Sequence, residues 1–495
     1  MCPPAKGTTL LTYGPKDPSI VRPDGSVLSH RELRGSIPRL RAHLSRASGK
    51  ALVLLSGCTC VDLVAAYLAV LEAGHAVLFA APDLDRGQQD RLARTFQPDL
   101  LVKVAQAHSP SRTDPPRGYR HLFDEGALSV WGGAPREHPA IHDDLALVLL
   151  TSGSIGEPQG VRLSYANLMS NAKSISESLG ITPADRAITS LPLHYSYGLS
   201  VLNSHLFSGA SIVLAADSPT SRNFWRTFSS CGATTFAGVP LAYSALLRTL
   251  SRSWPQLLRT ATQAGGPMPV ELVRRYSGLA QENGARFVVM YGQTEATARI
   301  SCLDTVAEPE YIGSVGTAVP GGRLRIDPSE AGSIGGADGE VVYEGPNVMM
   351  GYATGRGDLA TGDSLRGTLR TGDLGSIRDG RLYLTGRLKR VCKIASRRVS
   401  LDEFQDALTA QYGAAAVELG GVITLFHTGP DSPSLQAEVR RACDAFGIST
   451  AYVRLQDLAA LPRTSAGKVD YQALTLATHQ DPEYHGQAGE TRVPL

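Results

Sequence analysis

The chain has 495 residues, 42% of them apolar, and a formal net charge of +2. That length accommodates a large domain and a smaller one. The near-balanced charge gives no basic surface for nucleic acid or anionic membrane, so neither is expected as a partner. The seven cysteines are odd in number and scattered, which suits reduced thiols in the cytosol better than a disulfide framework. Cys58 and Cys60 form the only close pair, without the second pair a metal site needs. The start, Met1-Cys2-Pro3-Pro4, lacks the basic-then-apolar pattern of a signal peptide, so a cytoplasmic location is expected. The longest apolar region, residues 51–81, is broken by Asp62, Glu72 and His75 and reads as protein core, not a membrane span.

In chain order, residues 51–55 predict a strand, 61–73 a helix, 76–79 a strand and 100–104 another. This alternation implies a parallel sheet flanked by helices. Residues 109–139, rich in Pro, Gly and Arg, predict surface loops. The alternation resumes with a buried strand at 145–150, a helix at 164–179 and a strand at 186–190. Further strands are expected at 211–214, 234–236, 261–264 and 287–290, with helices between them. After Gly313 short alternating segments at 321–326, 339–344 and 381–384 lie between glycine turns, which implies a small antiparallel or barrel-like part. A last segment predicts a helix at 401–411, a strand at 421–425 and a helix at 436–445. The domain boundary is expected at 387–390, giving domains 1–386 and 387–495, and the polar tail after His479 is expected to be mobile.

The strand at 145–150 opens into Thr151-Ser152-Gly153-Ser154-Ile155-Gly156-Glu157-Pro158-Gln159-Gly160-Val161. Glycines and hydroxyls together offer backbone N–H groups and side-chain donors at close approach, the chemistry a polyphosphate requires. The Gly-Lys-Ser/Thr ending of a P-loop is absent, which argues against a P-loop kinase. Four more segments follow in order: Leu191-Pro192-Leu193-His194-Tyr195-Ser196-Tyr197-Gly198, Tyr291-Gly292-Gln293-Thr294-Glu295, Arg370-Thr371-Gly372-Asp373, and Leu461-Pro462-Arg463-Thr464-Ser465-Ala466-Gly467-Lys468-Val469. Gly386-Arg387-Leu388-Lys389-Arg390 and Lys393 stand between the last two.

From about residue 50 to 475 this series resembles the adenylate-forming superfamily of acyl-CoA synthetases, peptide-synthetase adenylation domains and luciferases, and in particular its stand-alone amide bond synthetases. The resemblance implies an α/β fold: a large N-terminal domain of parallel, helix-flanked sheets with a small β-barrel-like part, and a small α+β C-terminal lid domain. It implies ATP and Mg²⁺ as cofactors. Thr151, Ser152, Gly153, Ser154 and Gly156 match the loop for the β- and γ-phosphates. Gly265, Gly266 and Pro267 match the turn beside adenine and acyl group; Tyr291, with Gly292 and Gln293, matches the adenine-stacking segment. Thr294 matches the α-phosphate hydroxyl and Glu295 the metal carboxylate, a hard oxygen ligand suited to Mg²⁺. Asp373 matches the acid that accepts both ribose hydroxyls, Arg387 another ribose or phosphate contact, Lys389 the hinge, and Lys468 the lysine that bridges substrate carboxylate and α-phosphate.

Three positions depart from the family pattern, the first being Ile155, which stands where the family has threonine. Gln159 stands where the family has lysine, and Arg162 is the nearest cation that could compensate. Ser396 stands where thioester-forming members carry a glycine, which disfavours coenzyme A as acceptor. The stretch His194–Gly198 lacks the aspartate of amino-acid-activating members, so an α-amino acid is not the expected substrate. Tyr195, Tyr197, Val201, Phe236, Gly238 and Tyr243 are candidates for an apolar, aromatic-rich acid pocket; for Phe236 and Tyr243 ordinary core packing is an equal alternative. The expected function is ATP-dependent adenylation of an aryl, heteroaryl or medium acyl acid, then transfer to an amine with His194 as base. The partners are then a small carboxylic acid and an amine, or coenzyme A. The alternatives are an acyl-CoA or carrier-protein ligase using the same acyl-AMP, and a nucleotide-binding regulator without catalysis.

Overall fold

Runs of Val, Leu and Ala without polar interruption form strands buried on both faces, as parallel sheets covered by helices require. The computed structural model of the chain describes residues 18–47, 49–105, 115–134, 139–151, 159–328, 339–394, 397–408, 413–419, 421–429, 432–446, 448–464 and 468–479. These fall into two compact units, the second comprising residues 313–317, 324–343 and 370–495.

The first unit holds two large sheets. One runs, in spatial order, Gly351–Ala353, Gln159–Ser164, Leu145–Thr151, Ala76–Ala80, Leu52–Gly57, Leu100–Val104, Leu128–Gly133 and Tyr119–Glu125. Its central four strands are parallel and its edges antiparallel. The other contains Ser301–Asp304, Arg286–Tyr291, Thr260–Gln263, Thr235–Gly238, Arg186–Ile188, Ser211–Val213, Pro18–Val21 and Val27–Ser29. Val53, Val77 and Leu147 of the first sheet and Ala187 and Ile212 of the second share one core with the helices Val61–Glu72, Tyr165–Leu179 and Ser196–Phe207. Helix Val61–Glu72 is apolar nearly all round, the pattern of a helix enclosed on every side. Helix Tyr165–Leu179 starts with a reciprocal cap: Asn167 N donates to Ser164 Oγ and Ser164 N to Asn167 Oδ1. It ends at Gly180 in the left-handed region.

In the second unit Arg323–Asp327, Gly339–Glu344, Thr368–Arg378 and Arg381–Arg387 form a four-stranded sheet, the small β part expected from the sequence. Ala414–Leu419 pairs antiparallel with Val422–His427, which pairs parallel with Val453–Asp457 after the crossover helix Pro433–Phe446.

Most predicted elements stand within a few residues of their expected bounds, and two expectations change. Residues 119–133, read as loop, form the antiparallel pair Tyr119–Glu125 and Leu128–Gly133 around Gly126; the glycines that suggested loops are the hairpin's own. The compact division falls near residue 370 instead of 387. Strand pairing along Thr368–Arg378 and Arg381–Arg387 gathers the small sheet with the C-terminal segment.

Candidate active site

Four adjacent strands of the second sheet, Arg186–Ile188, Thr235–Gly238, Thr260–Gln263 and Arg286–Tyr291, run parallel. Their carboxyl ends therefore face one edge. The segments leaving that edge carry His194 and Tyr195, then Val239, then Gly265 and Gly266, then Gly292 to Glu295. The crevice beyond such strand ends is where open α/β sheets bind ligands, because no side chains of the sheet fill it.

The last of these segments is held by backbone contacts. A Cβ on Gly292 would lie 1.8 Å from the Ala298 carbonyl oxygen, so only glycine fits. The chain then makes a 3₁₀ turn, Thr294–Ala296, followed by Thr297 and Ala298 at φ +56° and +106°. Such a conformation costs about 1–3 kcal/mol for a non-glycine residue and persists only where neighbours enforce it. Asn347 does so: its Nδ2 donates to the carbonyls of Ala296 at 2.7 Å and Arg299 at 2.8 Å, and its own carbonyl accepts from Thr297 Oγ1 at 2.6 Å. Thr294 Oγ1 donates to Ser196 Oγ at 3.2 Å. Glu295 Oε1 accepts from the Tyr352 hydroxyl at 2.8 Å. Gln293 Nε2 is buried and makes no hydrogen bond to the described residues. Tyr291, at the strand end, is 8% exposed.

Gly265 has φ +90°, and a Cβ there would stand 2.5 Å from the Tyr195 hydroxyl oxygen. The phenol thus lies directly against the turn. Gln263 Nε2 closes the turn by donating to the Gly266 carbonyl at 2.9 Å, while Gly266 and Pro267 are exposed. Tyr195 and Tyr197 meet edge to face at 6.3 Å, and Val201 packs into the same cluster. The Tyr197 hydroxyl donates to the Thr262 carbonyl at 3.0 Å. Burial pushes the Tyr197 phenol up to about 12, so it stays protonated. His194 is half-buried; desolvation depresses its pKa and the nearby Asp83 charge opposes that shift. Its imidazole is therefore neutral at pH 7.

Two candidates for the acid pocket belong elsewhere. Phe236 and Tyr243 are fully buried and pack on each other at 5.7 Å, with Tyr243 also against Tyr276 and Phe287. The Tyr243 hydroxyl donates to the Thr262 carbonyl at 2.9 Å. These are core contacts, the alternative that the sequence left open. Gly238 is glycine for the same reason: a Cβ would meet the Tyr243 ring at 2.8 Å.

The expected role of Arg162 is also corrected. Its guanidinium donates to the backbone carbonyls of Tyr352, Thr361 and Met350, and the side chain is 2% exposed. The donors are used inward to fasten residues 350–362, so they do not replace the cation missing at Gln159. Thr151 ends the strand Leu145–Thr151, which turns back through Gln159–Ser164. Ser152, Gly153, Ser154 and Gly156 lie outside the described residues, as does Ser396.

In the second unit, Asp373 and Arg387 are cross-strand partners, with Arg387 Nε 2.7 Å from Asp373 Oδ1. Lys389 sits in the 3₁₀ turn Leu388–Arg390. Lys468 is exposed, and its carbonyl accepts from Thr464 N at 2.8 Å, closing the loop that bears it.

Mg²⁺ fits the donors of the first unit. Glu295 commits one carboxylate oxygen to Tyr352, and Oε2 makes no hydrogen bond to the described residues. Among the described residues no cluster of three or more His, Cys, Asp or Glu could hold a metal alone. Sequence reasoning missed Tyr352, Asn347 and Arg299; none lies in a motif, and only folding brings the first two beside Glu295.

The family model for AMP-binding enzymes matches residues 11–353. The chain belongs to that family. It is 28% identical over 490 residues to an isonitrile lipopeptide synthase of Streptomyces coeruleorubidus, covering 92% of this chain and 32% of that protein. It is 32% identical over 305 residues to a feruloyl-CoA synthase of an Amycolatopsis species, covering 60% of each. The chain thus spans a third to three-fifths of the length of these relatives. Among solved structures it resembles the O-succinylbenzoate coenzyme A synthetase of Bacillus subtilis in complex with ATP and magnesium ion. That match has a TM-score of 0.71 and 21% identity, covering 93% of this chain and 97% of that one. The adenylate-forming fold expected from the motifs is present. Among the described residues no helix is long and apolar enough to cross a membrane.

Proposed function

We propose that the chain is an ATP-dependent, AMP-forming ligase that activates a carboxylic acid as its acyl-adenylate. The observation that carries this reading is the convergence of His194, Tyr195, Gly265, Gln293, Thr294 and Glu295 on the carboxyl edge of four parallel strands. An acid carboxylate attacks the α-phosphorus of ATP, and pyrophosphate leaves. Both reactants are anions, so the residues' main task is to offset repulsion and hold the in-line geometry. Bound Mg²⁺ supplies positive charge to the phosphates. Glu295 would hold it, Gln293 Nε2 would donate to a phosphate oxygen, and the Thr294 hydroxyl would do the same on turning away from Ser196 Oγ. The Gly265–Gly266 turn admits the acyl and adenine groups against bare backbone. Asp373 accepts from the ribose hydroxyls, and Lys468 neutralises charge on the carboxylate and α-phosphate.

For the second step our reading is transfer to an amine. Neutral His194 takes the proton as the amine attacks the acyl carbonyl and AMP leaves. The serine at position 396, where thioester-forming members carry glycine, supports this acceptor. A thiol acceptor, coenzyme A or a carrier arm, is the second reading, favoured by the feruloyl-CoA synthase relative.

Incubating the protein with ATP, Mg²⁺ and a panel of aryl and acyl acids, with amines in one arm and coenzyme A in the other, tests both steps by mass spectrometry. We expect acid-dependent AMP and pyrophosphate in every productive arm and amide in the amine arm. Thioester without amide would assign the thiol reading, and no acid-dependent AMP with any acid would reject adenylation.

A further inference from the structure

Arg299 follows the strained residues Thr297 and Ala298 and is turned into the protein interior, only 2% exposed. Among the described residues no carboxylate pairs with it. Its Nε is buried without a hydrogen-bond partner, and the long contact from NH2 to Ser200 Oγ, 3.4 Å, is its side-chain hydrogen bond. The guanidinium lies over the face of Tyr197, 4.8 Å from the ring centroid. Its backbone carbonyl is fixed by Asn171 Nδ2 at 3.2 Å and Asn347 Nδ2 at 2.8 Å, so the side chain does not enter the interior by slack in the chain.

Such a placement is costly. A guanidinium cannot shed its proton at any working pH, and a buried cation without an anion loses hydration that one aromatic face and one hydroxyl do not replace. Buried charges in folded proteins are paired or hydrogen-bonded. The neighbours of this one are the residues assigned to the acid: Tyr197 under the guanidinium, Tyr195 at the edge of Tyr197, and the Tyr195 hydroxyl against the Gly265 turn. Cys302 and Tyr195 are the other groups within electrostatic reach, and neither is an anion at neutral pH because burial raises both.

We infer that Arg299 is the specificity residue for a second anionic group on the acid, so that the preferred substrates are dianions carrying a carboxylate or equivalent anion remote from the carboxyl that reacts. The aromatic edges of Tyr195 and Tyr197 take the body of such an acid, an arene or a chain of similar length. The planar fork of Arg299 receives the far anion through the donors that the protein leaves unused. The inference rests on the adenylation reading and names its substrate class.

The test compares matched acids in acid-dependent pyrophosphate release: an aryl or acyl monocarboxylic acid, and its analogue bearing a second carboxylate at the far end. Wild-type protein is expected to favour the dianion by about 100-fold in kcat/KM, the scale of a buried charge pair. Arg299→Met should raise KM for the dianion by about the same factor and change kcat/KM for the neutral-tailed acid only a few-fold. Arg299→Lys, which keeps the charge but loses the fork, should fall between. Titration calorimetry of the dianion with unreacted protein gives a binding readout independent of turnover. If Arg299→Met does not fold, the wild-type comparison and Arg299→Lys decide. Equal use of both acids by wild type, or equal loss for both in the variants, overturns the inference and leaves adenylation standing. Absence of pyrophosphate with every acid rejects adenylation, and the substrate class with it.

Discussion

The hydroxyl of Tyr352 donates to Glu295 Oε1 at 2.8 Å, although the two residues are separated by 57 positions in the chain. Tyr352 lies in Gly351–Ala353, which pairs antiparallel with Gln159–Ser164, the return strand of the glycine- and serine-rich hairpin. One phenol therefore ties the proposed metal carboxylate to the strand that carries the proposed phosphate loop. The hydrogen bond also fixes which carboxylate oxygen is left for a cation.

Removing that tie should be felt in metal dependence. Tyr352→Phe is expected to weaken apparent Mg²⁺ affinity roughly 10-fold, as loss of a partner behind a metal ligand does. Tyr352 is 43% exposed, so thermal stability should change little. A Mg²⁺ titration of acid-dependent pyrophosphate release checks the first outcome and a thermal melt the second.

Lys468→Ala should lower adenylation by roughly 10²–10³-fold, the usual loss for one contact to developing charge. The residue is exposed on a surface loop, so the fold should be unaffected. Isotope exchange between pyrophosphate and ATP at the wild-type rate in this variant would remove Lys468 from the mechanism.

The acceptor step should show the titration of His194. Burial holds its pKa below the ordinary 6.5, so the neutral base persists as pH falls from 8 through 6.5 and is lost only below that. Amide formation should decline on the acid side with that lowered midpoint. His194→Gln should lose about 10²-fold in amide formation and no more than a few-fold in pyrophosphate release. Parallel pH profiles of the two products check this.

Arg162 should act on stability and not on nucleotide affinity. Its guanidinium bonds to the carbonyls of Tyr352, Thr361 and Met350. Arg162→Ala removes these bonds, leaving the Met350 carbonyl only its bonds from Ser364, and should destabilise the first unit by about 3 kcal/mol, from hydrogen bonds to a charged donor. Denaturant melts measure that loss. A raised KM for ATP at unchanged stability would instead restore the compensating role for Gln159.

The legibility of the chain follows from where the information resides. Strands such as Leu145–Thr151 and Leu100–Val104 were readable because most of their residues are apolar and buried on both faces. The hairpin at residues 119–133 was not. It packs at a sheet edge, where polar and apolar residues mix and the glycines of its turn look like loop. The site motifs were readable because each is a local run with tight steric demands, as at Gly265 and Gly292. Phe236, in the strand Thr235–Gly238, and Tyr243, in the helix Pro240–Arg252, were ambiguous because an aromatic in either place suits a pocket and a core equally.

The sequence alone determined the alternating α/β plan, the small sheet after Gly313 and the family motifs, all properties of short stretches whose periodicity or steric need is local. Tertiary structure alone decided how side chains far apart in the chain divide their hydrogen bonds: Tyr352 to Glu295, Asn347 around Thr297, Arg162 inward to three carbonyls, and Arg299 to no anion among the described residues. The physical reason is that charge and hydrogen-bond capacity are fixed by residue type, whereas the partner that satisfies them is fixed by which strands the fold sets side by side.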